Sequence, residues 1–371
     1  MSGYGTGLVI GKFYPPHVGH RHLIEVAAAE SERVLVVVLG SRFESLTMEE
    51  RAGWLSEEFA SHRNVEILTQ ADDCPVDYDS DEMWKAHVEL MRSVLKGAGV
   101  GKVDAVFTSE MYGYQLAQAF GAQHVVVDPE RRAHPVSGTL CREDLNAAWP
   151  HIIEPARQGL ATRIIVVGAE STGTTTLTRA LTDHYRSQFP TIEDVPEYGR
   201  LRTYEKLDEL RLRNPSAGVE DLVWTTDDFD RIAKRQNELE NAAASQCPLV
   251  IADTDSLATV LWERRYMGPY SFGSAEAAGN LPRRDIYLLT DHDGVEFEDD
   301  GVRDGEHIRA DMTEWFKDAL TSAGHSWVLV TGSHERRMAT ATRIIDLILE
   351  QRSTFTSPPW ATRTVLTGAT A

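Results

Sequence analysis

The sequence predicts an α/β protein made of two doubly wound parallel-sheet domains. Short apolar runs alternate with longer helical patterns along most of the chain, which is the mark of a parallel sheet with crossover helices. At 371 residues the chain is too long for one ordinary domain. Two glycine-bearing turns, of different composition, each follow an apolar run and open a helical pattern.

In the first half, residues 8–10, 34–39, 65–68, 103–107 and 124–127 read as strands. Residues 19–29, 47–59, 81–96 and 112–120 read as the helices between them, with Thr47 and Glu50 forming a capping box for the second. A second cycle follows, with its best strands at 163–167, 249–252, 285–289 and 327–330. Its best helices are 175–187, 227–244, 256–266, 305–323 and 335–351, while the charged stretch 204–226 reads as a helix or an ordered insertion. The expected organisation is a first domain over 1–150, a linker over 151–158, a second domain over 159–352 and a flexible Ser/Thr/Pro-rich tail over 353–371.

Composition narrows the function. A hydrophobic fraction of 42% supports packed cores, and a formal charge of −20 argues against nucleic-acid partners, whose binding needs clustered Lys and Arg. Cys74, Cys141 and Cys247 are scattered and lack metal-binding spacing. No stretch approaches the roughly 20 apolar residues of a membrane span, and no basic-then-apolar leader opens the chain. A cytoplasmic protein without membrane or nucleic-acid partners is expected, and a homo-oligomer is compatible with all of this.

The first turn is Gly11-Lys12-Phe13-Tyr14-Pro15-Pro16-His17-Val18-Gly19-His20. Gly19 lets the backbone approach a ligand, and a helix amino terminus offers free N–H groups and a positive dipole end. His17 and His20, three residues apart, can both stabilise charge on a phosphorus under attack. Later, Ser137-Gly138-Thr139 precedes Arg142, pairing two hydroxyls with a guanidinium fork suited to β- and γ-phosphates. Ser137 and Thr139 also suit simple helix capping.

Paired H-x-G-H and S-G-T-x-x-R motifs resemble those of the nucleotidyltransferase superfamily of adenylyltransferases. The strings GKFYPPHVGH, Asp128-Pro129-Glu130-Arg131-Arg132 and PVSGT are similar to the NadR-type nicotinamide mononucleotide adenylyltransferases. The resemblance implies a Rossmann-like domain in which nicotinamide mononucleotide attacks the α-phosphorus of ATP, releasing NAD and pyrophosphate. It assigns His17, His20 and Arg142 to catalysis, and Gly11, Lys12, Phe13, Gly19, Ser137 and Thr139 to ATP. Trp84 is a candidate stacking partner for the pyridinium, and equally a core aromatic.

The second turn, Gly168-Ala169-Glu170-Ser171-Thr172-Gly173-Thr174-Thr175, follows 163–167 and opens a helix, as a P-loop does. Successive N–H groups there wrap a β-phosphate, and the Thr175 hydroxyl suits Mg²⁺. Residues 249–252 lead into Asp253, a Walker B pattern whose carboxylate suits the same ion. Gly168, Ser171, Thr172, Gly173, Thr174, Thr175 and Thr176 are therefore the expected nucleotide loop. The acidic loop 298–304 reads as a lid carrying Arg303, with Arg309 just beyond, and either arginine could reach the phosphates.

As a set, GAESTGTTTL, VPEYGR, IADTDSLAT and FEDDGVRD resemble the ribosylnicotinamide kinase domain that NadR-type proteins carry after the adenylyltransferase. This implies phosphorylation of nicotinamide riboside by ATP, with Glu197 binding or deprotonating the ribosyl hydroxyl. The helix-turn-helix repressor module of some relatives is not expected, because the first strand begins within about ten residues of Met1. One residue departs from the pattern: Thr174 stands where the P-loop lysine is expected, and it cannot replace that charge. The alternative is an adenylyltransferase whose second domain only binds nucleotide, as a sensor.

Overall fold

The structure is a computed structural model and describes residues 3–75, 80–110, 112–298 and 305–359. The chain separates into two compact units, one formed by Met1–Gly159 with Ser353–Ala371 and the other by Leu160–Arg352. Each unit is a five-stranded, all-parallel sheet flanked by helices.

The first sheet holds β1 (Tyr4–Gly11), β2 (Ser31–Gly40), β3 (Val65–Ala71), β4 (Ala105–Thr108) and β5 (Gln123–Val126) in the order β3-β2-β1-β4-β5. Leu8, Val9 and the run Val34 to Val38 are fully buried, because helices cover both faces of the central strands. The chain winds outward from β1 in one direction and returns to wind outward in the other. That reversal opens a crevice beyond the carboxyl ends of β1 and β4.

The second sheet holds β6 (Thr162–Gly168), β7 (Asp194–Val195), β8 (Leu249–Asp253), β9 (Ile286–Thr290) and β10 (Trp327–Val330) in the order β10-β9-β6-β8-β7. Its core includes Ile164, Val166, Leu177, Leu181, Ile251 and Leu288. The capping box at Thr47 and Glu50 is present, and Thr225 with Asp228 forms another at the start of the helix Thr226–Gln246. The uncertain stretch after 203 continues the helix Tyr198–Arg211 and then makes a short 3₁₀ turn, Val219–Asp221.

Two features depart from the expected organisation. The segment expected as a linker, 151–158, ends a 3₁₀ turn at Trp149–His151 and enters the helix Glu154–Leu160, with Ile152 and Ile153 buried. The segment expected as a flexible tail begins as an ordered strap. Thr356 accepts a hydrogen bond from the Tyr14 hydroxyl at 2.8 Å, and its own hydroxyl donates to the Phe43 carbonyl at 2.7 Å. Phe355 meets the Tyr14 ring edge-on at 5.7 Å, and Pro358 is buried. Composition alone suggested disorder, but Phe355, Thr356 and Pro358 find places already prepared for them. Residues 360–371 lie outside the described residues.

The Tyr14 hydroxyl also lies 2.7 Å from Ser45 Oγ and accepts from the Ser45 N–H at 3.0 Å. Tyr14→Phe removes this shared oxygen while keeping the ring. We expect it to lower the stability of the first unit by about 1–2 kcal/mol, read as a shifted denaturant midpoint in that unit's transition.

Candidate functional site

In the first unit, a cavity of about 480 Å³ opens where the sheet reverses, lined by the ends of β1 and β4 together with the loop and helix that follow β1. His17 and His20 meet there with ring centroids 3.7 Å apart and planes 23° from parallel. The His17 backbone N–H donates to His20 Nδ1 at 3.3 Å, and Phe13 abuts the His20 ring edge-on. Gly19 lies close against the pair: a Cβ there would stand 3.1 Å from the His17 ring, a tight contact.

Both imidazoles are neutral at ordinary pH. Burial, with help from Arg131, His134 and His151, takes His17 down to about 3. Burial first, then His17 and Arg131, holds His20 well below the usual histidine value. His17 Nδ1 is buried and lacks a protein hydrogen-bond partner. A pair kept neutral at an anion-accepting helix terminus donates N–H or takes up a proton once phosphate charge arrives.

The rest of the first constellation assembles around this pair. Ser137 caps the helix Gly138–Glu143 by accepting from the Leu140 N–H at 3.2 Å, and it also lines the cavity, so both expected roles meet in one residue. Arg142 donates to the Tyr14 carbonyl at 2.6 Å and to Thr139 Oγ1 at 3.3 Å, with its guanidinium 5.1 Å from the Tyr14 ring centroid. Gly11, Lys12 and Phe13 line the cavity too, but the Lys12 ammonium pairs with Glu44 at 2.9 Å. Trp84 is not brought to the cavity; it packs on the core with Val88, Met91 and Leu68. The sequence reading missed Arg131, His22 and His134, which also line it. The signal for Arg131 lay in the 128–132 string.

In the second unit, the loop after β6 is braced from below. Thr172 Oγ1 donates to the Ala169 carbonyl at 2.7 Å and lies 2.6 Å from Thr290 Oγ1 on β9. Gly168 leaves no room for a side chain, since a Cβ would fall 2.1 Å from Thr290 Oγ1. Gly173 starts the helix Thr174–Tyr185 at a φ of 86°, a backbone conformation suited to glycine. A cleft of about 230 Å³ above the loop is lined by Gly168, Ser171, Gly173, Thr174, Thr175 and Thr176. Thr175 Oγ1 donates to Asp253 Oδ2 at 2.5 Å, and Thr174 also hydrogen-bonds Asp253 through its side chain. Burial pushes the Asp253 carboxyl upward, against these hydroxyls and the fields of Arg200 and Arg179.

Two arginines near the acidic loop were expected to reach the phosphates. Arg303 lies outside the described residues. Arg309 is buried and donates to the carbonyls of Ser171 at 3.0 Å and Val295 at 3.0 Å, so it holds the loop's backbone and is absent from the residues lining the cleft. Asp255, two residues beyond Asp253, is fully buried, with Arg284 at 3.4 Å and the Tyr287 hydroxyl at 2.6 Å.

Beside the cleft lies a pocket walled by Trp224, Phe229, Trp262 and Tyr266. Trp262 and Tyr266 stack at 6.4 Å and Phe229 and Tyr266 at 6.3 Å. Glu197 precedes the helix Tyr198–Arg211 without capping it, and it lines both the cleft and the pocket. The four-residue spacing of Trp262 and Tyr266 was the available signal for this pocket.

The chain is similar to several known proteins. Residues 163–337 match the AAA domain family AAA_28. The trifunctional NAD biosynthesis/regulator protein NadR of Escherichia coli K12 is 25% identical over 277 residues, which cover 71% of this chain and 63% of that protein. The chain is a homologue of NadR. It thus spans about 63% of the length of that relative. A crystal structure of NadR protein in complex with NR, 23% identical, has the same fold over 93% of this chain and 96% of its own, with a TM-score of 0.55. A nicotinamide-nucleotide adenylyltransferase of Methanoculleus marisnigri is 28% identical over 162 residues, 40% of this chain and 86% of that protein. Among the described residues, no helix is long and apolar enough to cross a membrane.

The depressed His17 and His20 values have a definite sign. The unfolded chain binds these protons near pH 6.5 and the folded chain does not, so stability is full above that pH and falls as pH drops below it. The expected slope is up to about 1.4 kcal/mol per pH unit for each histidine. Denaturant midpoints between pH 7 and pH 4 measure it, and His17→Gln should flatten the curve.

Proposed function

We propose that the first unit transfers AMP from ATP to nicotinamide mononucleotide, and that the second phosphorylates nicotinamide riboside with ATP. The observation that carries the first half is the convergence of His17, His20, Arg131 and Arg142 on one cavity at the reversal of a parallel sheet. The names of the relatives, an NAD biosynthesis protein and an adenylyltransferase, support the same reading.

In the first reaction, a 5′-phosphate oxygen of the mononucleotide attacks the α-phosphorus of ATP. The bond from that phosphorus to the bridging oxygen of the β-phosphate breaks, and pyrophosphate leaves. The imidazole pair and Arg142 hold the triphosphate and stabilise the added charge at the phosphorus, so positioning and charge supply the rate. No covalent intermediate with the protein is needed.

In the second, the pyridinium of the riboside sits against the aromatic walls, a cation–π contact. Its 5′-hydroxyl then points toward the cleft, where Glu197 accepts the proton as the oxygen attacks the γ-phosphorus and ADP leaves. Magnesium fits beside the loop: the Thr175 hydroxyl and the Asp253 carboxylate lie together, and Asp253 is a buried acid that a cation would hold ionised. When bound, the ion neutralises phosphate charge. Thr174 favours a second reading, in which this unit binds nucleotide as a sensor and the chain has only the first activity.

Purified protein given Mg-ATP with either the mononucleotide or the riboside separates these readings when NAD and ADP are followed independently. Absence of NAD from the mononucleotide refutes the primary reading; NAD from the mononucleotide with no ADP from the riboside selects the sensor. His20→Ala should lower NAD formation by about 10²- to 10³-fold and leave riboside phosphorylation intact. Trp262→Ala should raise the riboside KM by about tenfold without affecting the mononucleotide reaction.

A further inference from the structure

We propose that the strap 353–359 is a working part of the first site: it fixes Tyr14, and through Tyr14 it aims the guanidinium of Arg142. This rests on the reading of the first unit as an adenylyltransferase. Phe355, Thr356 and Tyr14 are positioning residues in it, each acting through Arg142.

Tyr14 is buried within the loop that carries His17 and His20, and it lines the cavity. Arg142 donates to the Tyr14 carbonyl at 2.6 Å, well inside its 3.3 Å contact with Thr139 Oγ1. The same guanidinium stands 5.1 Å from the centroid of the Tyr14 ring. Backbone and side chain of one residue therefore set the arginine fork. Gly138 abuts that carbonyl as well, since a Cβ there would stand 3.0 Å from it. The two phosphate-binding motifs thus meet at Tyr14. A fork binds phosphate oxygens by parallel hydrogen bonds only when its plane is correctly turned. Where Tyr14 sits decides where Arg142 points.

The strap decides where Tyr14 sits. The Tyr14 hydroxyl donates its single proton to the Thr356 carbonyl at 2.8 Å. Ser45 Oγ, 2.7 Å from that hydroxyl, must then be the donor of the pair. The Thr356 N–H in turn donates to Ser45 Oγ at 3.3 Å. Thr356, Ser45 and Tyr14 so form a closed circuit of hydrogen bonds, in which each bond polarises the next. The Thr356 hydroxyl adds a bond to the Phe43 carbonyl at 2.7 Å, next to Glu44, which holds the Lys12 ammonium. Phe355 closes one edge of the Tyr14 ring, with centroids 5.7 Å apart and planes 88° from parallel.

This arrangement steers more than it supports. Thr356 is exposed and Phe355 half-buried, and neither joins the apolar core packed on the sheet. Releasing them loosens Tyr14 and leaves the strands and their helices packed.

The test uses the full chain. Phe355→Ala with Thr356→Pro removes the edge contact and the N–H that opens the circuit. In steady-state NAD formation this double variant should lower kcat/KM for ATP by about ten- to hundredfold and leave the mononucleotide KM within about twofold. Phe355→Tyr with Thr356→Ser keeps the ring, the hydroxyl and the backbone bonds, and should restore the rate. Hydrogen–deuterium exchange reads the site without turnover: ATP should protect the amides of 17–20, and the double variant should need about tenfold more ATP for the same protection. A lower denaturant midpoint with kcat/KM for ATP and protection both unchanged means a merely structural strap and overturns the proposal. If the double variant fails to fold, Ser45→Ala breaks the circuit from its other side, and an unchanged ATP response there overturns it equally. If the unmodified protein makes no NAD, yet releasing the strap still shifts the ATP protection, the adenylyltransferase reading falls and the role of the strap stands.

Discussion

Both sites depend on one geometric constraint: a parallel strand ends where the helix after it begins, so backbone N–H groups collect at the carboxyl edge of the sheet. Other helices here close that end with a side chain, as Thr47, Ser80 and Thr225 do. The helices after β1 and β6 start instead from His17 and Gly173. The backbone donors that a cap would otherwise satisfy are left available there, as an anion site requires. The tight turns this requires explain the room denied to any Cβ at Gly168 and the closeness of Gly19 to the His17 ring.

A shared device stiffens those turns. Arg51 donates to the Lys12 carbonyl, Arg142 to that of Tyr14, Arg309 to that of Ser171 and Arg337 to that of Thr172. A guanidinium bound by a carbonyl keeps its full charge, which a carboxylate partner would offset. Among the described residues, Arg51 also pairs with buried Glu44, and no ion pair joins Arg142, Arg309 or Arg337 to a carboxylate. In a chain of net charge −20, these guanidiniums set positive charge against the backbone of the two loops.

The two sheets, their order of motifs and most of the loop residues were legible in the sequence, because each rests on local rules. Buried parallel strands need continuous apolar runs such as Val34 to Val38, and close phosphate approach needs glycine at fixed offsets. Trp84 shows the limit: its helical spacing suits a core face as well as a ligand face, and packing against Leu68 and Met91 decided it. Arg309 illustrates another: it follows an acidic, glycine-bearing stretch, and only the fold shows that its guanidinium is taken by backbone carbonyls. The strap 353–359 was hidden for a different reason, since its partners Tyr14, Phe43 and Ser45 lie more than 300 residues earlier.

That strap changes how the chain must be assembled. The first unit is interrupted in sequence, its closing segment being synthesised after the whole of Leu160–Arg352. On a ribosome, the earlier part waits with the Tyr14 hydroxyl and the Phe43 carbonyl unmatched by Thr356 until the whole second unit has been made. Domains made in order commonly fold in order; here the later one is complete before the earlier one is finished.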